Sequence, residues 1–318
     1  MLWTVLIALQ KVQRAHPLPG ACVNKGIAMR LDDFDPRSVN IEDQRGGRFP
    51  IGRRGGSIGC GTLVIALIAA VVFGVDPAQM IGGLEQIQQQ APSQQQQQGG
   101  ATVSESCSVD QASREACNAL SSLNKTWQPL FQQANIAFSP PKLVFYSQTG
   151  RSGCGTAQSA MGPFYCPGDN GIYLDTDFFR QMDRELGASG QFARLYVIAH
   201  EYGHHVQNLV GMSRQVQSAQ QQNPRQANRL SVLLELQADC YAGVWAGRNR
   251  QLLDPGDLES GLNAAHQIGD DVLMKNAGRN PHEAAFTHGS AAQRMEWLKR
   301  GVETGNEDAC DTFSQLTR

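Results

Sequence analysis

The stretch His200-Glu201-Tyr202-Gly203-His204 places two histidines four positions apart, with a glutamate directly after the first. In an α-helix, side chains four positions apart lie on one face with their Cβ atoms roughly 6 Å apart, so both imidazoles can reach a single ion. Glu201 is rotated by about 100° from His200 and can reach a water molecule on that ion. This spacing is typical of a zinc site that activates water.

The residues around this stretch predict an amphipathic helix that ends near Gly211. One face is predicted to be core, and His200 and His204 lie together on the neighbouring face. His205 falls about a third of a turn further on, and we interpret it as a residue that supports a ligand or lies at the surface. The apolar positions recur at intervals of three and four: Phe192, Leu195, Ala199, Tyr202, Val206 and Leu209.

A second helical segment offers a third ligand. Catalytic zinc sites usually have three protein ligands and an open fourth position, and Glu235 can supply the third. Asp239 follows one turn later and can accept a hydrogen bond from the outer nitrogen of a zinc-bound histidine. The alternative is that both are ordinary solvated helix charges. The apolar stripe of this helix consists of Leu230, Leu234, Ala238, Tyr241 and Trp245.

These motifs carry a family resemblance. A His-Glu-x-x-His motif followed some thirty positions later by Glu-x-x-Ala-Asp resembles the gluzincin metallopeptidases, whose zinc is held by two histidines and a glutamate. More closely, residues 165–170, 200–207 and 235–243 are similar to the bacterial "putative neutral zinc metallopeptidase" family, and the similarity runs from Met29 to the C-terminus. The resemblance implies an α+β, mainly helical zincin-like domain with a small β-sheet, one Zn²⁺ ion and a zinc-dependent endopeptidase. The resemblance does not identify a substrate.

The resemblance also implies roles for individual residues. Zinc acts as a Lewis acid and lowers the pKa of its bound water to about 7, and Glu201 is the expected general base. His288 is the candidate donor to the oxyanion of the tetrahedral intermediate, and Arg294 is a weaker one. The alternative role for His288 is capping of a helix N-terminus. The acidic pair 270–271 is interpreted as helix-surface or capping residues, and we leave it out of the site.

Two regions ahead of the active-site helix predict strands. The run 142–147 is rich in β-branched and aromatic residues, and 162–174 predicts two short strands around a turn at 167–171. Either could offer the edge along which a substrate peptide adds as an extra strand. A plain structural hairpin is equally compatible with the pattern.

An uncharged, apolar stretch at 58–75 predicts a transmembrane helix. Arginines precede it and Asp76 follows, so the positive-inside rule places the N-terminus in the cytoplasm and the catalytic part in the periplasm or outside the cell. We therefore expect a single-pass protein of the bacterial inner membrane. A cleaved signal peptide is the alternative. The arginines are Arg45, Arg48, Arg53 and Arg54.

The span divides the chain into four expected parts. Residues 1–56 are a cytoplasmic, largely disordered segment, and residues 57–76 form the transmembrane helix. Residues 77–105 are a glutamine-rich linker, and residues 106–318 form one metallopeptidase domain. Either Met1 or Met29 is a possible start of the translated protein.

Cysteine usage agrees with export, because an even number of cysteines lies on the predicted outer side. Six cysteines leave fifteen pairings open. The two local pairs, 107 with 117 and 154 with 166, would leave the remaining two to pin the C-terminal tail to the second helix. Zinc binding by these thiols is the rival interpretation, but no Cys-x-x-Cys spacing occurs. The six are Cys107, Cys117, Cys154, Cys166, Cys240 and Cys310.

The formal net charge is only −2, and no basic cluster lies in the predicted domain, so a nucleic-acid partner is not indicated. We expect a membrane-anchored zinc endopeptidase with an unidentified peptide or protein substrate. The competing class is a non-catalytic, zinc-stabilised envelope scaffold or partner-binding protein. The two differ at Glu201, which a structural zinc site would not need.

Overall fold

The structure, a computed structural model, describes residues 29–45, 101–185 and 190–314. Within them the fold is α+β and mainly helical, as expected. The strands are β1 (Asn40–Asp43), β2 (Lys142–Tyr146), β3 (Thr149–Ser152), β4 (Gly155–Gln158), β5 (Phe164–Cys166) and β6 (Gly171–Asp175). The helices are α1 (Val103–Cys107), α2 (Gln111–Gln133), α3 (Thr176–Glu185), α4 (Gln191–Leu209), α5 (Met212–Gln222), α6 (Ala227–Arg248), α7 (Asp257–Gln267), α8 (Asp270–Asn276) and α9 (Ala291–Thr304).

The main sheet has four strands in the order β1-β2-β6-β5, and β3 and β4 form a separate hairpin. β2 pairs in parallel with both β1 and β6, whereas β5 pairs antiparallel with β6. The sequence-predicted strand 142–147 is therefore central, and the edges are β1 and β5. The run Leu-Val-Phe-Tyr in β2 is buried throughout, which is typical of an internal parallel strand. The predicted pair of strands in 162–174 is the β5–β6 hairpin.

The helices that carry the predicted ligands are in backbone contact. A Cβ atom built on Gly203 of α4 would lie 2.9 Å from Ala238 Cα in α6, so a larger residue would force the two helices apart. A Cβ on Gly243 of α6 would lie 2.2 Å from the carbonyl oxygen of Leu298 in α9. These glycines bring α4, α6 and α9 close enough for their side chains to share one site.

Residues 29–45, which we call the N-terminal strap, form part of this domain. Met29 and Val39 are buried in the main core. β1 extends the sheet, and Asn124 Nδ2 in α2 donates to the carbonyl oxygen of Ser38 at 3.0 Å. The expected division placed residues 1–56 in a cytoplasmic, largely disordered segment, whereas residues 29–45 pack on the domain. The strand has four residues and its partner lies about a hundred positions later, so local periodicity gave no signal.

The expected membrane span at 58–75 and most of the expected linker lie outside the described residues. Among the helices in the described part of the chain, none combines the length and hydrophobicity that a membrane crossing requires. Helix α1, which Thr102 caps, begins ahead of the expected domain boundary at 106. Since β1 pairs with β2, both strands lie on one side of any membrane. A cytoplasmic strap and an exported domain do not agree with this sheet.

Three disulfides occur in the described residues, and they are the pairs named from the sequence: Cys107–Cys117, Cys154–Cys166 and Cys240–Cys310. The first joins α1 to α2, and the second joins the β3–β4 hairpin to β5. The third holds the C-terminal segment against α6, one residue after Asp239. Each of the last two therefore ties a loop or tail to an element that borders the predicted site.

Candidate metal centre

The structure brings the three predicted ligands together. Glu235 Oε2 is 3.1 Å from His200 Nε2, and Glu235 Oε1 is 3.5 Å from His204 Nε2. One ligand atom from each residue lies within 4.8 Å of the other two. Two ligand atoms about 2.1 Å from a zinc ion at a tetrahedral angle stand about 3.4 Å apart. The spacing therefore fits one zinc ion.

The hydrogen bonds around the ligands favour positive charge between them, from a metal ion or from protons on the rings. His200 Nδ1 faces Asp239 Oδ1 at 2.8 Å and must donate its proton there. His204 Nδ1 faces Gln207 Oε1 at 2.9 Å and must do the same. In the neutral rings both Nε2 atoms then present lone pairs to the Glu235 carboxylate, which can only accept. Zinc bound between these atoms would relieve the mismatch.

The ionisation of the cluster leads to the same conclusion. Burial alone would lower the pKa of His200, but the charge of Asp239 and hydrogen bonds to Asp239 and Glu235 raise it to about 10. Burial alone would raise the pKa of Glu235, but the charge of His204 and hydrogen bonds from both histidines hold it well below its usual range. The site favours positive charge at its centre, and zinc would replace the protons that otherwise supply it.

A charged network holds the outer side of His200. Both oxygens of Asp239 accept bonds from Arg294, from Nε at 2.9 Å and from Nη2 at 3.0 Å. Tyr196 Oη donates to Asp239 Oδ1 at 2.6 Å. Asp239 thus has the role predicted for it, orienting His200. Arg294 contacts Asp239 at the Nδ1 side of His200, whereas Nε2 of His200 faces Glu235.

Glu201 lies beside the ligands without being one of them. Its side chain is buried, and its ionisation responds to the charges of His200, His204 and Glu235. Burial raises the pKa of Glu201 above its usual value, and the nearby backbone N–H of Tyr165 in β5 acts against this rise. A carboxyl group with a raised pKa can accept and release a proton near neutral pH. The edge strand β5 therefore lies close to Glu201.

His288 is held by a residue that we had left out of the site. Asp270 Oδ1 lies 3.0 Å from His288 Nδ1, and Asp270 Oδ2 accepts the backbone N–H groups of Thr287, His288 and Gly289. His288 is 3% exposed, and its Nε2 is buried without a hydrogen-bond partner. The helix cap is Ser290, so the capping role for His288 is wrong.

His288 lies close to the ligand-bearing helix. A Cβ on Gly289 would lie 3.2 Å from Leu236 Cδ2 in α6, one residue after Glu235. Burial raises the pKa of Glu235, and the charge of His288 is among the influences that lower it, after the two ligand histidines. The neighbouring Asp271 accepts the N–H of Ala291 at the start of α9, which is the capping role expected for it.

His205 is fully buried and takes no part in the ligand set. Its Nε2 donates to the carbonyl oxygen of Ser139 at 2.7 Å, and its Nδ1 lies 3.1 Å from Tyr165 Oη. Burial lowers the pKa of His205 to about 4, so the ring is neutral. The surface interpretation is therefore wrong. The residue joins the active-site helix to β5.

Sequence reasoning missed three residues of the centre: Tyr196, Gln207 and Asp270. Tyr196 lies four positions before His200, and Gln207 lies three positions after His204. Helical spacing could therefore have found both on the ligand face. Asp270 is the first residue of α8 and lies 18 positions before His288, which is in the connection to α9, and no local pattern links the two.

Comparison with known proteins agrees with this geometry. Residues 31–313 match the family described as "Putative neutral zinc metallopeptidase". The chain is 43% identical over 293 residues to the Escherichia coli (strain K12) protein titled "Uncharacterized protein YpfJ", covering 87% of this chain and 96% of that protein. It is 42% identical over 206 residues to "Uncharacterized protein Rv2575" of Mycobacterium tuberculosis, covering 61% of this chain and 68% of the relative. No solved structure matches.

The family match spans nearly all of the described residues and includes both ligand-bearing helices, β5 and the His288 segment. The name of the family agrees with a His-His-Glu cluster that fits zinc. The chain therefore belongs to the putative neutral zinc metallopeptidase family.

Proposed function

We propose that the protein is a zinc-dependent endopeptidase with Glu201 as its general base. One observation carries the proposal: a buried carboxylate with a raised pKa stands beside a complete three-residue ligand set without joining it. A purely structural zinc site is usually closed by a fourth protein ligand and has no use for such a group. When bound, zinc would supply a Lewis acid and a water of lowered pKa.

The residues around the site have three further roles: proton transfer, stabilisation of the oxyanion and binding of the peptide. Glu201 takes a proton from the attacking water, holds it on a carboxylate oxygen and gives it to the departing amine. Asp270 orients His288 through its Nδ1, so that Nε2, which has no partner among the described residues, faces the site as a candidate donor to the developing oxyanion. The edge strand β5, in which the backbone of Tyr165 lies near Glu201, offers backbone groups to an extended peptide.

The test of the general base is Glu201→Gln. Zinc content should stay at the wild-type level, because the ligands are untouched, while hydrolysis of a peptide library should fall by at least about 100-fold. Glu259→Gln, at an exposed glutamate, controls for the lost charge. Equal hydrolysis by wild type and Glu201→Gln would refute the enzyme assignment. A wild-type protein that binds zinc and cleaves nothing would favour the zinc-stabilised scaffold.

The oxyanion role of His288 is tested separately. His288→Gln should lower kcat by about 100- to 1,000-fold, the usual effect of losing one oxyanion donor, with little change in zinc content. A change confined to KM would place His288 in substrate binding instead.

We also propose that the domain works outside the cytoplasm, attached to the inner membrane of a bacterium. The support is the set of three disulfides, which form and persist in oxidising compartments. The test places one cysteine at an exposed position in each part, at Asp32 in the strap or at Glu259 in α7. Cys22 and Cys60, which are not in the three disulfides, are changed to serine so that they do not react. A membrane-impermeant maleimide should label both in spheroplasts. Labelling of the cysteine at 259 but not of the one at 32 would overturn part of the proposal. It would support a cytoplasmic N-terminus, with β1 of the strap not paired with β2 in the cell.

A further inference from the structure

The outer nitrogen of His204 is held differently from that of His200. Its partner is the amide oxygen of Gln207, 2.9 Å away, and Gln207 is fully buried. The amide nitrogen of Gln207 donates to the carbonyl oxygen of Leu234 at 2.7 Å and to Gln237 Oε1 at 3.1 Å. Since the Leu234 carbonyl can only accept, the amide cannot flip. Gln207 Oε1 must face His204, whose proton then sits on Nδ1 and whose Nε2 stays free for the metal.

The hydrogen bonds continue in one direction away from the site. Gln237 uses its oxygen for Gln207, so its nitrogen is the donor to the carbonyl oxygen of Cys310 at 3.1 Å. The disulfide to Cys240 holds Cys310 against α6. Thr312 Oγ1 adds a bond to the carbonyl oxygen of Leu233 at 2.7 Å. A chain of two buried amides thus runs from His204 to a covalently anchored tail.

We propose that Gln207 is the positioning residue for His204, and that Gln237 and the anchored tail at Cys310 fix its amide. The inference rests on the zinc centre of the proposed function but not on hydrolysis. Without Gln207 Oε1, the His204 proton has no acceptor on its outer side, and the ring loses both its tautomer and its orientation.

Two substitutions separate positioning from simple packing. Gln207→Leu removes the acceptor and should weaken zinc binding by about 10- to 100-fold. Gln207→Glu keeps an acceptor for His204 but loses both donated bonds. It should destabilise the zinc-free protein while holding zinc at least as tightly as wild type, because a carboxylate is the stronger partner. A packing role predicts that the two variants lose stability and leave zinc affinity unchanged.

The measurement is the zinc Kd of the full chain, from competition with a chromophoric chelator. Urea unfolding of the zinc-free protein gives the stability of each variant. Gln237→Leu should weaken zinc less than Gln207→Leu, since it acts one bond further away. The matched control is Gln220→Leu. Gln220 is another buried glutamine, which donates to Ala227 O and Ser231 Oγ, and its loss should lower stability with zinc Kd unchanged.

Each outcome decides a separate point. Equal Kd for wild type and Gln207→Leu would overturn the positioning role and leave the proposed function intact. Failure of the wild type to bind zinc would overturn both. If Gln207→Leu does not fold, long-range ¹H–¹⁵N spectra of the zinc-loaded wild type decide the matter. We expect His204 to bear a slowly exchanging proton on Nδ1, and metal binding through Nδ1 would overturn the inference.

Discussion

Two arginine–aspartate ion pairs stabilise two different regions of the molecule. At the metal centre, Arg294 makes two bonds to the carboxylate of Asp239. In the N-terminal strap, Arg45 makes two bonds to the carboxylate of Asp43, from Nε at 2.9 Å and from Nη2 at 2.6 Å. The local chemistry is the same, a planar guanidinium matched to a planar carboxylate.

The surroundings of the two pairs differ. The side chains of Arg294 and Asp239 are 2% and 0% exposed, and Asp239 also accepts from the ligand His200. Those of Arg45 and Asp43 are 12% and 11% exposed, and the other bonds of Arg45 go to Ser113 and to the backbone of Ser106. The first pair orients a ligand, whereas the second attaches a segment of chain. The same substitution in both regions should therefore have different consequences.

Asp239→Asn should have the largest effect. It leaves Arg294 buried without a counter-charge, which typically costs about 3–5 kcal/mol of unfolding free energy. It also offers His200 an amide that can present nitrogen instead of oxygen, so zinc affinity should fall by about 10- to 100-fold. Urea unfolding with a chelator and zinc competition measure the two losses. An unchanged zinc Kd would contradict the orienting role.

The two regions also differ in how far local sequence reveals them. His200, His204, Glu235 and Asp239 lie on two helices at spacings of four, so the motifs predicted the four groups that the structure brings together. Asp270 and His288 meet because the α8–α9 connection folds back, and β1 meets β2 across about a hundred residues. Long-range contacts of this kind leave no periodic pattern of residues in the sequence. The glycine contacts between α4, α6 and α9 likewise appear only once the helices are packed.

Asp43→Asn should have a smaller effect, confined to stability. Hydrogen bonds to a charged group contribute about 1.5–3 kcal/mol, and Arg45 keeps its bonds to α1 and α2 and its contact over the ring of Phe145. Zinc Kd should be unchanged, because no bond joins this pair to a ligand. The matched control is Asp35→Asn, which breaks the exposed pair with Arg37 and should lower the stability much less, because water screens exposed ion pairs. A weaker zinc Kd in Asp43→Asn would show that the strap supports the centre.

The smallest expected effect is a pH dependence of the unfolding free energy that arises from Asp43. Burial alone would raise the pKa of Asp43, but side-chain and backbone hydrogen bonds from Arg45 outweigh it, so the folded-state pKa is lowered. The unfolded value is about 3.9. A lowered folded pKa contributes stability that is fully present above the unfolded value and is lost as the pH falls through the folded one.

The stability difference between wild type and Asp43→Asn should therefore be constant from about pH 7 to pH 5 and narrow below about pH 4. Urea unfolding of both proteins at several pH values, with a chelator present, measures it, and the subtraction removes the carboxylates that the two share. Asp308→Asn, at an exposed side chain, should differ from wild type by close to zero throughout. A difference that stays constant down to pH 3 would mean that Asp43 holds the strap without being ionised. The two ion pairs would then share their geometry but not their dependence on charge.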